Sequence, residues 1–372
     1  MIFGHQRKLL GKFGMINNFK SLSKFWRGKK VFLTGHTGFK GSWFSVLLNL
    51  FGAKVIGYSL KPDKKLNFFD LAKLDKEIYA SIIADIRDYS KLKKSVIKHS
   101  PDFIVHMAAQ PLVRDSYINP KYTYEVNTLG TINILNILNE LSFIKSALII
   151  TTDKVYLNNN KKNYYKENDP LGGFDPYSNS KSCAELAVNS YNNSFLKKKN
   201  ISVVTARAGN VIGGGDFSKD RILPDYFRSL LNNKKLILRS PNSIRPWQHI
   251  IDPLYGYLLV LMKLHKKQKF IGDSWNFGPD KSNNRSVSEV INLINKEFNN
   301  SVRIIKNNAS LKKYYESKIL MLNSEKSKQV LNWKAKYNLK QSIKLVSFWH
   351  KEFLAKKDIL KVSQKQIMDY FK

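Results

Sequence analysis

VFLTGHTGFKGSWF, Val31 to Phe44, is an apolar run that breaks into Gly35, Gly38 and Gly41 and then turns apolar again. A buried strand followed by evenly spaced glycines and an amphipathic stretch is the pattern of a strand–loop–helix that binds phosphate through its backbone. The first glycine permits a tight turn, the second lets a pyrophosphate approach the main chain, and the third lets helix and strand pack closely. N–H groups left free at the helix N-terminus then face the phosphates. A glycine-rich structural turn would give the same letters, so the surrounding pattern decides.

That surrounding pattern alternates short apolar runs with longer amphipathic ones, as βαβ units around a parallel sheet do. KKVFLTG, AKVIGYS, ASIIAD, DFIVHMA, SALIITT and ISVVTARAG read as strands. Helical periodicity covers Lys40–Phe51, Asp88–His99, Lys121–Leu141 and Pro176–Phe195. Six strands in this order predict an α/β fold, a Rossmann-type doubly wound parallel sheet. Beyond about residue 210 the pattern loosens into a Gly-rich turn, a helix near Leu223–Leu231, a strand at LILRS and a helix over Asp252–Leu264. SWNFG, Ser286–Glu297 and VRIIK follow and read as a smaller α+β lobe. The expected division is an extension over 1–28, partly disordered, a dinucleotide-binding domain over 29–209 that carries the reacting groups, and a mainly substrate-binding lobe over 210–372 with segments returning to the first domain.

Composition bounds the alternatives. With 372 residues, 43% of them hydrophobic, the chain is long enough to bury a large core. Asn49 and Lys54 interrupt the first long apolar stretch and Lys263 with His265 close the Leu254–Met262 run, so no membrane insertion is expected. MIFGHQRKLLGKFG lacks the apolar region and cleavage site of a secretory signal and reads as an extension, with Met15 a second candidate start. Cys183 alone excludes an intramolecular disulfide and a cysteine-based zinc site, which fits a reducing compartment and a cytoplasmic location. Its place two residues past Lys181 turns it from that lysine's helical face, toward inert packing. A net charge of +35 argues on its own for a polyanionic partner. The lysines, however, are scattered in short groups such as LKKSVIK, LKKKN and LHKKQK, and no nucleic-acid motif accompanies them. Solvated faces explain them better, and no nucleic-acid partner is expected.

The reacting groups follow from spacing and place. Tyr177 and Lys181 form Tyr-x-x-x-Lys at the start of a helix, an i,i+4 pair on one face. A cation beside a phenol lowers its pKa and makes it a usable acid/base for a hydroxyl becoming a ketone. Thr151-Thr152-Asp153-Lys154 ends the fifth strand, at the carboxyl edge of the sheet where ligands bind. Thr152 is placed to bond the same hydroxyl, and Asp153 with Lys154 adds a titratable pair. At the end of the second strand, where an acid for the ribose of NAD is expected, stands Tyr58-Ser59-Leu60-Lys61. Asp85, closing the third strand, reads either as a partner for the adenosine or as an acid at a helix N-terminus. His36 has no second His or Cys spaced to join it, so no metal site is expected.

FLTGHTGFKGSW, HMAAQPLVRDSY, EVNTLGT, TTDKVY, DPYSNSKSCAE, RAGNVIGGGDF, DRILPD and RPWQHIIDP together resemble the extended short-chain dehydrogenase/reductases, and within them are most similar to the branch of CDP-glucose 4,6-dehydratases. The likeness runs from about residue 28 to 285 and more weakly to the end. It implies NAD as cofactor, CDP-glucose as substrate and a homodimer through two exposed helices of the sheet domain. It implies a hydro-lyase that oxidises C4 of the sugar, loses water across C5 and C6 and returns the hydride to C6, at the entry to deoxysugars of bacterial surface polysaccharide. Tyr177, with Lys181 and Thr152, would take the C4 hydroxyl proton. Asp153 would protonate the departing C6 hydroxyl. Lys154 stands where the related dTDP-glucose dehydratases have Glu, either as the C5 base or as a charge orienting Asp153. Gly35, Thr37, Gly38, Phe39, Lys40, Gly41, Ser59, Asp85, Ile86, Ala108, Ala109, Gln110 and Asn127 would line the cofactor. Arg114, Ser116, Asn210, Arg221, Arg245 and Asn276 would meet the substrate, the arginines as bidentate phosphate forks. His249 and Asp252 would position the loop that carries Arg245.

Two rivals come from other readings. A UDP-sugar epimerase or a dehydratase for another nucleotide shares the fold, but an epimerase needs no acid at C6. A dinucleotide-sensing protein would be expected to have lost Tyr-x-x-x-Lys, which is intact here.

Overall fold

The strand that opens the glycine loop, β1 (Lys30–Thr34), lies inside a seven-stranded parallel sheet. The computed structural model describes residues 19–62, 66–158, 164–266, 273–306 and 319–372. With β2 (Lys54–Ser59), β3 (Ala80–Ile83), β4 (Phe103–His106), β5 (Ser146–Ile150), β6 (Ser202–Ala208) and β7 (Ser274–Phe277), the spatial order is β7-β6-β5-β4-β1-β2-β3. Val31 pairs with Val55 on one side and Phe103 on the other. The order reverses between β1 and β4, and the loops leaving their carboxyl ends diverge there to leave a crevice.

Continuous apolar strands follow from burial on both faces. Val31, Leu33, Val105 and Leu148 pack on one face under α2 (Phe39–Leu50), α7 (Ile251–Lys266) and α10 (Ile359–Tyr370). Phe32, Ile104, Ala147 and Val203 face the other way, under α3 (Tyr89–His99), α4 (Gly130–Glu140) and α5 (Pro176–Tyr191). α4 continues from the short helix Pro120–Tyr124 through a π turn at Glu125–Leu129. A separate core of Ile212, Tyr226, Phe227, Trp247, Ile291 and Val346 joins α6 (Ile222–Leu231), α8 (Val287–Glu297) and α9 (Leu339–Leu354) beside the sheet's carboxyl edge. No helix among the described residues is long and apolar enough to cross a membrane.

Three features depart from the sequence reading. SWNFG does not belong to the smaller lobe: Ser274–Phe277 is β7, paired parallel to β6, with Asn276 opposite Arg207. A four-residue run carries too little pattern to say which sheet it joins after a long excursion. Within the expected extension, α1 (Phe19–Trp26) is a helix whose Leu22 and Trp26 are fully buried against Phe103 and its neighbours. Eight residues with two anchors are too short for a periodicity to stand out. Met1 and Met15 lie outside the described residues. Helices α9 and α10, where the pattern gave no assignment, bury Trp349 and Tyr370, and α10 packs on α2.

Candidate active site

The glycine loop has the geometry of a phosphate cradle. Gly35 takes φ +77°, and a Cβ there would lie 2.7 Å from Ala108 N. A Cβ on Gly41 would lie 2.1 Å from the Gly35 carbonyl oxygen, so helix and loop touch backbone to backbone. Gly38 precedes α2 without a side-chain cap, leaving the first N–H groups of the helix to an incoming acceptor. Thr34 Oγ1 accepts from Met107 N and Ala108 N, both at 3.1 Å, and ties the β1 and β4 loops together. The cleft over this loop has a volume of about 490 Å³ and is lined by Thr37, Phe39, Lys40, Ser59, Asp85, Ile86, Ala108, Ala109 and Gln110 among others. A glycine floor, free N–H groups and a narrow cleft together fit the diphosphate of a dinucleotide.

At the far end of that cleft no carboxylate follows β2. Ser59 Oγ is instead 2.9 Å from Thr37 Oγ1, which donates to Leu60 O. Asp85 lines the cleft with its carboxylate gripped by Arg87 Nε and Nη2, and this pairing holds its carboxyl below the usual range. The helix-capping role belongs to Asp88, which accepts from Lys91 N. Asn127 is fully buried and does not line the cleft. Its Oδ1 accepts from Gln110 N and its Nδ2 donates to Gln110 O and Ser180 Oγ, so it fixes the Gln110 loop to α5.

A second cleft, of about 560 Å³, lies against the smaller lobe. The two share Lys40, Pro111, Leu112, Thr151, Tyr177, Asp216 and Arg221, so Tyr177 stands at their junction. Asp175 caps α5, accepting from Ser178 N at 2.9 Å, with Pro176 in the first turn, and this sets where Tyr177 emerges. Thr152, Asp153 and Lys154 form the turn after β5 and line only the second cleft. Thr152 Oγ1 donates to Asp153 Oδ1 at 3.1 Å, while Asp153 Oδ2 is buried with no hydrogen-bond partner among the described residues. Lys181 lines only the first cleft, and its Nζ donates to Ile150 O at 3.1 Å.

Burial dominates the electrostatics here. It pushes the Tyr177 phenol up to about 12, against the hydrogen bond with Thr152 and the nearby Arg221 cation, which pull it down. The expected depression by Lys181 is therefore not what the protein shows: the ammonium turns to a carbonyl, and desolvation outweighs every cation nearby. Burial likewise pulls Lys181 down to about 8, with the Lys40 charge adding to the effect. Lys40 is drawn down to about 8 by burial and by Arg221, while Asp153 and Asp216 oppose the shift.

On the substrate side, Arg114, Asn210, Arg221 and Arg245 all line the second cleft. Arg221 Nη1 lies 3.1 Å from Asp216 Oδ2, and Arg114 Nη1 lies 3.3 Å from Asp220 Oδ1. Arg245 is buried and donates to Ile244 O. A nucleotide-sized cleft rimmed by arginines, joined at a tyrosine to a glycine-floored cleft, suits a substrate carrying a diphosphate. The model of the GDP-mannose 4,6 dehydratase family matches residues 32–346.

The chain belongs to this family. A similar member of the dehydratases, the CDP-glucose 4,6-dehydratase of Salmonella typhimurium, is 40% identical over 351 residues, 93% of this chain and 97% of the relative. The dTDP-D-glucose 4,6-dehydratase of Dictyostelium discoideum is 29% identical and covers 71% of this chain and 62% of its own length. Among solved structures, the dTDP-glucose 4,6-dehydratase of Bacillus anthracis in complex with NAD matches with a TM-score of 0.73 at 22% identity, covering 90% of this chain and all of that one. The UDP-glucose 4-epimerase of Thermotoga maritima matches at 0.75 and 18%, covering 87% and 99%. These two likenesses show the fold, which this chain shares with a dehydratase and with an epimerase.

Against this family frame, two residues expected at the substrate lie elsewhere. Ser116 is fully buried. Its Oγ accepts from Tyr177 N and donates to Val113 O, so it supports the helix start rather than a ligand. Asn276 is fully buried on β7, where Oδ1 accepts from Tyr156 OH and Nδ2 donates to Tyr165 O and Asn323 O. Both polar groups are spent inside the protein. His249 and Asp252 are also fully buried, away from either cleft lining. Cys183 Sγ lies half-buried, 3.5 Å from Asn179 Oδ1. The pattern missed Asp216, which pairs with Arg221, although its place just after the glycines of GGGDF marked it as a loop acid. It also missed Glu185, which the i,i+4 spacing beyond Lys181 places on the same helical face.

Proposed function

We propose that this chain is a nucleotide-sugar 4,6-dehydratase that converts CDP-glucose to CDP-4-keto-6-deoxyglucose. The observation that carries the reading is the junction of the two clefts at Tyr177, with the orphaned carboxylate oxygen of Asp153 beside the sugar end. The 40% identity to a CDP-glucose 4,6-dehydratase supports the nucleotide.

NAD suits the glycine-floored cleft: Gly35, Gly38 and Gly41 would hold its diphosphate, Thr37, Ser59 and Asp85 its adenosine end, and Lys181 and Gln110 the nicotinamide end. When bound it supplies a two-electron acceptor, so that C4 is oxidised, C6 is reduced by the same two electrons and the only net product besides the sugar is water. The protein's own groups manage the protons. Tyr177 takes the proton of the C4 hydroxyl in its ionised form, which the Thr152 hydrogen bond and the Arg221 cation favour against the effect of burial. The ketone at C4 makes the C5 proton acidic, and Lys154 faces the cleft as its acceptor or as the charge that orients Asp153. Asp153, shielded from water and short of one hydrogen bond, gives its proton to the departing C6 hydroxyl. Arg221, Arg245 and Arg114 hold the diphosphate so that the sugar reaches Tyr177. An epimerase has no leaving hydroxyl and no use for the Asp153 proton.

The same reading places the enzyme in the cytoplasm. It works as a homodimer through α5 and the π turn that leads into α4, an arrangement supported by Leu186 of α5 and Leu129 of that turn, each about half exposed at 56% and 52%. Purified protein incubated separately with CDP-, dTDP-, UDP- and GDP-glucose tests the assignment. A 4-keto-6-deoxy product from CDP-glucose is expected; turnover of another nucleotide sugar in its place would overturn the substrate, and a C4-epimerised product would overturn the reaction.

A further inference from the structure

Behind the junction lies a buried ion pair with no part in the steps above. Glu185 and Arg207 are each 4% exposed in their side chains and meet as a two-bond fork, Arg207 Nε on Oε1 and Nη2 on Oε2, both at 2.9 Å. The carboxylate has two more donors: Thr151 Oγ1 to Oε1 at 2.5 Å and Thr205 Oγ1 to Oε2 at 2.6 Å. Arg207 Nη1 goes on to Tyr156 OH and the Glu167 carbonyl, which belong to the segment that follows the Thr152 turn. A buried pair of this kind contributes little net stability, because desolvation offsets the attraction.

Its position is more telling than its energy. Tyr177, Lys181 and Glu185 lie one turn apart along one face of α5. Lys181 is bonded to the carbonyl of Ile150 and Glu185 to the side chain of Thr151, and the next two residues are Thr152 and Asp153. α5 is thereby pinned to the end of β5 at two consecutive residues. We infer that the Glu185–Arg207 pair is a positioning device that sets Tyr177 and Lys181 of α5 against the Thr152 turn. This inference rests on the dehydratase reading above.

The charges facing Lys181 are Lys40 from α2, Glu185 from α5 and, through Glu185, Arg207 from β6, and His106 of β4 is close enough to feel its charge. Burial and Lys40 draw Lys181 down and Glu185 opposes them. Glu185→Gln removes the opposing charge and leaves Arg207 unbalanced, and both changes favour the neutral amine. Thr205→Val deletes one bond to Glu185 from β6, away from both clefts, and keeps the charge.

The test compares the full-length enzyme with both variants. For Glu185→Gln, kcat on CDP-glucose falls about tenfold near pH 8 with KM little changed, and the alkaline limb moves down by about one pH unit. For Thr205→Val, kcat falls a few-fold with the limb in place. Competitive acetylation of Lys181 across pH, read by mass spectrometry, shows the same downward shift in Glu185→Gln without any turnover. A wild-type protein inactive on CDP-glucose would fault the substrate, leaving the acetylation profile to decide the inference. Variants that lose only melting temperature, with kcat, limb and acetylation midpoint unmoved, would overturn it. So would a Thr205→Val enzyme with unchanged kcat if Glu185→Gln failed to fold.

Discussion

Replacing Gly41 with alanine sets two effects of opposite sign against each other. Gly41 sits in the first turns of α2, so alanine there gains about 1 kcal/mol of helix propensity. Its new Cβ, however, would stand 2.1 Å from Gly35 O and 2.8 Å from His36 Cα. Contacts become ordinary near 3.4 Å, so the loop must retreat by roughly 1 Å, and its backbone has little freedom to do so. Gly35 N is bonded to Tyr58 O at 2.9 Å, and Gly35 O accepts from Gly38 N at 3.1 Å. Overpacking against a fixed backbone costs roughly 1–3 kcal/mol. Because the clash is with backbone that cannot give way, the cost lies toward the upper end of that range and wins, for a net loss of up to roughly 2 kcal/mol and a melting temperature lower by a few degrees. A displacement of this size also moves the N–H groups of the loop off the diphosphate, which weakens NAD binding by roughly 10- to 100-fold. Calorimetric titration with NAD alongside a thermal melt reads both effects. An alanine variant that melts higher and binds NAD as tightly as the parent would refute the cradle.

The remaining expectations concern the junction and a buried acid. Tyr177→Phe lowers kcat by at least ~10²-fold in a steady-state assay, because the variant loses the group that takes the hydroxyl proton in this account. Asp153→Asn lets C4 oxidation proceed and stalls water loss, so rapid quench finds a 4-keto sugar that keeps its C6 hydroxyl; full-rate dehydration would remove Asp153 from its role. Lys181 acts charged and loses its proton as pH rises through about 8, so kcat/KM falls above that value. Asp252 bonds Lys336 N and Tyr370 OH, and burial raises its carboxyl to about 7. The folded protein therefore holds this proton more tightly than the unfolded chain, and the resulting stability is present below about pH 4 and lost as pH rises to 7, on the order of a few kcal/mol. In Asp252→Asn the difference between melting temperatures at pH 5 and pH 8 shrinks; an unchanged difference would show that Asp252 does not titrate in that window.

What was legible in the sequence was local. The glycine loop, the Tyr-x-x-x-Lys spacing and the Thr-Asp-Lys turn each lie within one strand–loop–helix unit, and the parallel sheet then brings their carboxyl-edge loops together. Ser116 and Asn276 were misplaced because a motif names a residue without saying which way it faces, and both spend their hydrogen bonds inside the protein. The tyrosine's pKa was misjudged for a related reason: the attraction of a cation is visible in spacing, whereas the larger effect of burial is a property of the assembled cleft. β7 was assigned to the wrong lobe because its four residues pair with a strand far away in the chain. The Glu185–Arg207 pair bridges 22 residues, and only the folded sheet reveals it.

The central claim is that one hydrogen leaves C4 and returns to C6 of the same sugar while water is lost. Turnover of CDP-glucose carrying deuterium at C4, mixed with unlabelled substrate and analysed by mass spectrometry and NMR, tests it directly. The account predicts a 4-keto-6-deoxy product with the deuterium at C6 and no exchange between labelled and unlabelled molecules. Deuterium retained at C4, or released to solvent, would contradict it.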